Sequence, residues 1–396
     1  MIKFEDRFIE NRGAKMIYFD NSATTKIYPQ SLDAFMKTSQ RIIGNPSSLH
    51  DLGTQATRLL NQARKQIAEI LNVASEEILF TSGGTEGDNW ILKGTALAKR
   101  KFGKHLIISA VEHPAVLESA KQLEELGFEV SIVPVDAYGR VEIDEVESLL
   151  RKDTVLVSVM AVNNEIGVLQ PIKQIANLLM SYPTVHFHVD AVQAIGKIAL
   201  EDYLVERVDF ATFSAHKFHG PRGVGFIYAK KGKKLEPLIT GGGQEFGRRS
   251  TTENVAGIVA MAKALRICTE EQAKKRQHML LIRNYLLESL QTYEKVIIFS
   301  KDNQHFAPHI LTFGIQGVRG EVLVHAFEEK QIYISTTSAC SSKKKTTAST
   351  LRAMNIEQKL AETAVRISLD ESNTMVEAEQ FMIILNHLYE KFSKVN

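Results

Sequence analysis

Ile78-Leu79-Phe80-Thr81-Ser82-Gly83-Gly84-Thr85-Glu86 is the stretch that decides the fold. An apolar run ends at two glycines, which let the backbone turn tightly, and a helical pattern begins at once. The same alternation recurs outward along the chain. Apolar, largely β-branched runs stand at 78–81, 105–109, 129–133, 155–160, 185–189, 210–213 and 225–228. Helical patterns lie between them at 114–126, 143–151 and 172–181, with apolar residues three or four apart. Strands joined by helices of that length need crossover connections. The expected architecture is therefore α/β, with a mostly parallel seven-stranded sheet between helices. Several runs end at small or polar residues, as at Ser82–Thr85, Asn163-Asn164-Glu165 and Asp190. Ligands of such sheets bind beyond the carboxyl ends of the strands, so these loops should share one crevice.

After Gly241-Gly242-Gly243 the texture changes. A long helical pattern over 254–293 has no Gly after Gly257 and no Pro, and is expected to link two domains. Beyond it, apolar runs at 295–299, 309–313, 331–335 and 364–369 mix with helical patterns at 320–330 and 375–392, which reads as a smaller α+β domain. The expected division is an N-terminal segment (1–28) packing with the small domain, a large domain (29–262), and a small C-terminal domain (263–396).

Composition narrows the function classes. The chain has 396 residues, 44% hydrophobic and 24% charged, which suits two or three globular domains of about 150 residues each. Lys plus Arg (48) against Asp plus Glu (46) leaves a formal charge of +2. That balance argues against holding nucleic acid by bulk electrostatics, and no direct nucleic-acid contact is expected. Cys268 and Cys340 are the two cysteines, too few for a disulfide framework or a four-thiolate zinc site. A reduced, cytoplasmic protein is expected, without a metal, in which any thiol chemistry uses one sulfur at a time. Met1–Lys15 lacks the apolar core of a signal peptide, and no run of 18 apolar residues suggests a membrane span.

Three places carry chemistry. The Gly83-Gly84-Thr85 turn offers backbone amides and hydroxyls that suit a phosphate, although an ordinary strand-to-helix turn looks the same. Lys217 follows the apolar run ending at Phe213 and precedes His219-Gly220-Pro221, so it points into the crevice rather than to bulk solvent. Most lysines are solvated, but a partly desolvated one is the group that condenses with aldehydes. Asp190 closes the run at His188-Val189. It could cap the next helix or pair with a pyridinium nitrogen on the same sheet.

Together these residues resemble the fold-type I pyridoxal-phosphate enzymes of the class V aminotransferase group, and within it the cysteine desulfurases. The resemblance runs from about Ile17 to the last helix. It is carried, in order, by Tyr18–Thr25, Gly44–Ser48, Thr81–Glu86, Glu112-His113-Pro114, Asn163–Gly167, His188–Gln193, Ser214–Lys217, Arg249–Asn254, Ser338–Ser341 and Val365–Leu369. Each motif alone is weak, and their order is what makes the match specific.

The resemblance implies the following roles. Lys217 carries pyridoxal 5'-phosphate in Schiff-base linkage, Asp190 pairs with the pyridine nitrogen, and Gln193 contacts the ring hydroxyl. His113 stacks on the ring and assists proton transfer, and Asn164 also contacts the cofactor. Gly84, Thr85, Ser214 and His216 hold the phosphate, joined by Thr252 from the other subunit of a homodimer. Arg366 grips the substrate carboxylate, for which a guanidinium fork is the natural partner, with Asn45 and Asn164 nearby. Cys340 takes the sulfur of L-cysteine as a persulfide and passes it to an acceptor protein of iron–sulfur assembly or of tRNA or cofactor thiolation. Selenocysteine lyase and aminotransferase activity are the alternatives within the same family. Cys268, in the long helical pattern, reads as a small buried hydrophobe. Lys343-Lys344-Lys345 reads as a solvated face, or else as a dock for an acidic sulfur acceptor or for the tRNA of a downstream thiolation enzyme. Ala215, Thr251 and Thr337 stand where the family usually has glycine. These exchanges restrict the backbone but remove no functional side chain.

Overall fold

The structure, a computed structural model, describes residues 16–301, 304–337 and 350–393. Cys340 and the Lys343–Lys345 run lie outside the described residues.

In chain order the first strands are β1 (Ile17–Tyr18), β2 (Ile78–Thr81), β3 (His105–Ser109), β4 (Glu129–Val133), β5 (Thr154–Ser158), β6 (His186–Asp190), β7 (Phe210–Ser214) and β8 (Gly225–Ala229). All but β1 form one seven-stranded sheet in the order β2-β8-β7-β6-β5-β3-β4. Its contacts are parallel except those of β8, which runs antiparallel to both neighbours. Every residue of β3, β5, β6, β7 and β8 is buried, as expected of strands covered on both faces. The edge strand β4 is the partly exposed one, with Glu129 and Ile132 open to solvent. The core on one face packs Phe187, Phe213 and Phe226 against Leu265 and Met261 of the Val255–Thr269 helix. Phe213 and Phe226 stack with centroids 4.5 Å apart, and full burial of side chains this large contributes about 1.5–3 kcal/mol each. On the other face Leu92 and Ala96 of the Gly84–Lys99 helix meet Leu106 and Ile108 of β3.

The smaller domain is built on β9 (Val296–Ile298), β10 (Ile310–Ile315), β11 (Ile332–Tyr333), β12 (Ser335–Thr336) and β13 (Val365–Ser368). A four-stranded antiparallel sheet has the order β12-β13-β10-β9, while β1 pairs in parallel with β11. Phe19 joins this second core with Phe313, Phe327 and Phe381.

Three readings of the sequence differ from the structure. The pattern over 254–293 is two helices, Val255–Thr269 and Gln272–Leu290, broken where Glu271 takes the left-handed conformation at φ 53°. No Gly or Pro marks the break, because Lys275 Nζ reaches back to the Ile267 carbonyl at 2.6 Å and satisfies the first helix's end. The run at 331–335 is two short strands, and the chain changes sheet at Ile334. The helices Pro29–Arg41 and Asp51–Leu71 were not anticipated; residues of the second, Leu60, Ile67 and Leu71, enter the main core.

Candidate active site

The carboxyl ends of β2, β6 and β7 open on a cavity of about 250 Å³. Its lining brings together Gly84, Thr85, His113, Asn164, Asp190, Gln193, Ser214, His216, Lys217 and Arg366, ten of the residues expected from the sequence. Asn45 and Thr252 are exposed and lie outside that lining.

Each side chain has a local cause for its position. The turn after β2 passes through Gly83 at φ 153°, and a Cβ on Gly84 would meet Val192 Cγ2 at 2.9 Å. Glycine is needed at both places for the helix amides to face the cavity. Lys217 ends a single 3-10 turn, Ala215–Lys217, directly after β7. Its Nζ donates to the carbonyls of Ser22 (2.6 Å) and Ala23 (2.9 Å). Gln193 Nε2 donates to the same Ser22 carbonyl at 2.9 Å, so the Asn21–Thr25 segment is strapped across the lysine. The strap is anchored by Ser22 N donating to Ser368 Oγ at 2.8 Å and Thr25 N donating to the His216 carbonyl at 2.9 Å.

Asp190 is the last residue of β6, and its Oδ1 accepts from Val192 N at 2.9 Å. Burial pushes its carboxyl up to about 6, opposed by the Val192 amide and the Lys217 charge. His113 precedes the Pro114–Glu125 helix, and its Nδ1 accepts from Ala115 N at 3.1 Å. The ring's proton therefore belongs on Nε2. Burial first, and the Lys217 charge second, bring His113 down to about 4, so the ring is neutral at pH 7. The same two causes bring His216 to about 4. Asn163 is buried and structural: its Oδ1 accepts from the amides of Glu165 and Ile166, which fixes the turn presenting Asn164. Arg366 sits in β13 and reaches in from the smaller domain. Its guanidinium donates to the Asn164 carbonyl (2.6 Å) and to Asp20 Oδ1 (3.0 Å).

Sequence reasoning missed Asp20, Ser22 and Asp88 as parts of this site. The first two stand in the Tyr18–Thr25 motif and the third just after the glycine turn, so position was the available signal. Among the described residues, no three His, Cys, Asp or Glu side chains gather to hold a metal ion.

The donor set fits pyridoxal 5'-phosphate on its chemistry. A lysine amine, a buried carboxylate and a helix amino end with hydroxyls and imidazole converge on one cavity. Gln193 Oε1 and Arg366 Nε are buried there without a hydrogen-bond partner among the described residues. Unpaired buried polar atoms of this kind cost free energy unless something polar meets them.

Two anchors also hold the segment before Thr252. Arg64 forms a buried two-point pair with Glu245 (2.7 and 2.8 Å), and Arg249 pairs the same way with Glu86 (2.7 and 2.9 Å). Glu86 lies in the first turn of the Gly84–Lys99 helix, so the second clamp joins two of the sequence motifs.

Comparison with known proteins agrees with this geometry. Residues 17–381 match the family model for class-V aminotransferases. A "NifS/IcsS protein homolog" of Lactobacillus delbrueckii subsp. bulgaricus is 52% identical over 381 residues, covering 96% of this chain and 99% of that protein. "Cysteine desulfurase IscS" of Methanosarcina thermophila is 39% identical over 383 residues, covering 96% and 94% of the two chains. A solved structure titled "NIFS-LIKE PROTEIN" superposes with a TM-score of 0.89 at 39% identity, covering 95% of this chain and all of that one. The similarity spans the large and the smaller domain, and the chain belongs to the class-V aminotransferase family of pyridoxal-phosphate enzymes, in its cysteine desulfurase branch.

Proposed function

We propose that this enzyme converts L-cysteine to L-alanine and leaves the sulfur as a persulfide on Cys340. The observation that carries the reading is the convergence of Lys217, Asp190, His113 and Arg366 on one cavity. Gly84, Thr85, Ser214 and His216 would hold the phosphate of pyridoxal 5'-phosphate, Asp190 its pyridine nitrogen, Gln193 its ring oxygen and Lys217 its aldehyde. Bound there, the cofactor supplies an electron sink that labilises bonds at the substrate's α- and β-carbons.

The chain's own residues do the rest. Arg366, oriented by Asp20 and the Asn164 carbonyl, takes the substrate carboxylate and fixes the α-carbon near Lys217. Lys217, as a free amine, removes the α-proton and can return it to carbon. His113, neutral with its proton on Nε2, can donate in the same step. The Cys340 thiolate attacks the substrate sulfur: an S–S bond forms, the Cβ–S bond breaks, and the electron pair returns to carbon, where a proton completes alanine. L-Cysteine and a thiol thus become L-alanine and a persulfide, with no outside oxidant. Thr350, the first described residue after Cys340, is moored beside the cavity. Asn163 Nδ2 donates to its Oγ1 at 2.9 Å, and its amide donates to Glu165 Oε2 at 3.0 Å.

The test is L-cysteine-dependent release of alanine. Alanine and sulfane sulfur should form in equal amounts, and consumption of a 2-oxo acid in their place would overturn the reading in favour of transamination. The persulfide passes to an acceptor protein of iron–sulfur assembly or thiolation, which trapping and mass spectrometry of the labelled recipient would identify. Thr252 completes the phosphate site of a second copy in a homodimer. A mixture of Lys217→Ala and Thr252→Ala chains should then regain activity in hybrid dimers, and a mixture without any gain would contradict shared sites. We place the enzyme in the cytoplasm, consistent with the absence of any helix among the described residues long and apolar enough to cross a membrane.

A further inference from the structure

A second cavity, of about 430 Å³, shares one lining residue, Val162, with the Lys217 cavity and serves none of the roles above. Its volume is that of a small-molecule site. Three cations line it, Arg140, Lys173 and Arg276, against one acid, Asp202, which Lys173 already pairs at 2.7 Å. The two charges left over are guanidiniums. Neither arginine has an ion pair or a side-chain hydrogen bond among the described residues, and Arg140 Nε is buried without a partner. A buried donor of that kind costs free energy until an acceptor meets it. Ile172, Lys173 and Gln174, the first turn of the Ile172–Leu179 helix, line the same space. That turn has neither a side-chain cap nor an acidic residue, so nothing in it offsets the positive end of the helix dipole.

The backbone that carries each arginine is fixed by side-chain hydrogen bonds. Asp136 Oδ1 accepts from the amides of Tyr138 (2.8 Å) and Arg140 (2.9 Å). Buried Gln170 accepts from Val141 N at 2.9 Å and donates to the Gly139 carbonyl at 2.8 Å, so the turn bearing Arg140 is held on both sides. Gln272 Nε2 donates to the Ile198 carbonyl at 2.7 Å. That bond ties the first turn of the Gln272–Leu290 helix, and Arg276 one turn further on, to the larger domain. A site ordered in advance loses little affinity to ordering itself.

We propose that this cavity binds a small organic phosphate: the phosphate lies between Arg140, Arg276 and the amino end of the Ile172–Leu179 helix, and the organic part rests on Val162, Ile172 and Ile198. Guanidinium forks and helix amino ends both suit phosphate oxygens, and two unmatched arginines supply the charge that a dianion needs. The volume calls for an organic group beyond the phosphate, since the cavity exceeds a bare oxyanion and apolar side chains form part of its lining. Ile172 and Ile198 belong to the main core, whereas the helix carrying Arg276 sends Met279, Ile282 and Leu286 into the core of the smaller domain. The ligand therefore bridges the two domains.

The experiment titrates the holoenzyme, whose cofactor fills the Lys217 cavity, by calorimetry with AMP, glucose 6-phosphate, inorganic phosphate and citrate. At least one of the two organic phosphates should bind once per chain with a Kd below about 1 mM, at least about fivefold tighter than inorganic phosphate or citrate. Which of the two binds distinguishes a nucleotide from a sugar phosphate. Arg140→Ala and Arg276→Ala should each weaken binding about tenfold or more, and Arg140→Lys should recover only part of that loss, because an ammonium lacks the fork. Raising salt from about 50 to about 300 mM should weaken binding severalfold. Should R140A fail to fold, Arg276→Gln and the salt series still read the site. The proposal is overturned if neither organic phosphate binds at about 5 mM. It is equally overturned if citrate or inorganic phosphate binds as tightly, or if the affinity is unchanged in a folded variant of either arginine.

Discussion

The Lys217 ammonium donates to the carbonyl of Ser22 at 2.6 Å, joining residues 195 apart in the chain. The strap that supplies this carbonyl is itself held by β13 of the smaller domain, through Ser22 N and Ser368 Oγ. Lys217, the Asn21–Thr25 strap and the smaller domain are thus one hydrogen-bonded unit. Ser368→Ala should loosen it. The lost bond is worth about 1 kcal/mol in stability, a small fall in Tm. Alanine release should fall severalfold while far-UV circular dichroism stays unchanged. Full activity in S368A would show that the strap does not position Lys217.

Asp190 opposes stability to function. Burial raises its carboxyl from the ordinary 3.8 to about 6, so between those values the folded apoprotein holds a proton that the unfolded chain has released. No penalty exists below about pH 4. It grows as pH rises to about 6 and stays in full above, at roughly 1–3 kcal/mol. Asp190→Asn removes it. The D190N apoprotein should melt higher than wild type at pH 8, converge with it at pH 4, and fail to retain cofactor. Equal melting at pH 8 would contradict the buried, raised carboxyl.

His113 is neutral across the working range, because burial and Lys217 bring it to about 4. An acidic limb of kcat between pH 6 and 7 should therefore persist in His113→Ala, while turnover drops by about 10²-fold with cofactor retained. Disappearance of such a limb in H113A would mean that the imidazole titrates there.

Arg366 presents a fork whose geometry lysine does not reproduce. Arg366→Lys should raise KM for cysteine by at least about tenfold and change the cofactor's absorbance without substrate very little. A KM unchanged in R366K would remove the residue from carboxylate recognition.

The larger sheet was legible in the sequence because buried strands read as continuous apolar runs. The expected runs at 78–81 and 105–109 coincide with the fully buried β2 and β3. The helix break at Glu271 was not legible, since its carbonyls are satisfied by a lysine side chain rather than announced by Gly or Pro. The site was legible where a motif residue faces the cavity, as with Lys217, Asp190 and Arg366. Asp20 was hidden because it bonds the Arg366 guanidinium across 346 residues of sequence, a relationship that only the fold creates. Asn163 and Asn164 look alike in sequence, and only the structure separates the turn-former from the residue at the cavity.

Under the proposed function, sulfur leaves cysteine by attack of the Cys340 thiolate, with Cys268 as packing. Cys268 is buried, and its thiol is pushed up to about 12, chiefly by burial, which suits an inert side chain. The most direct measurement is the mass of the protein after a single turnover with cysteine, in wild type, Cys340→Ala and Cys268→Ala. One added sulfur is expected on the peptide containing Cys340 in wild type and C268A, with neither persulfide nor matching alanine in C340A. A C340A enzyme that releases alanine at the wild-type rate, or a persulfide found on Cys268, would contradict it.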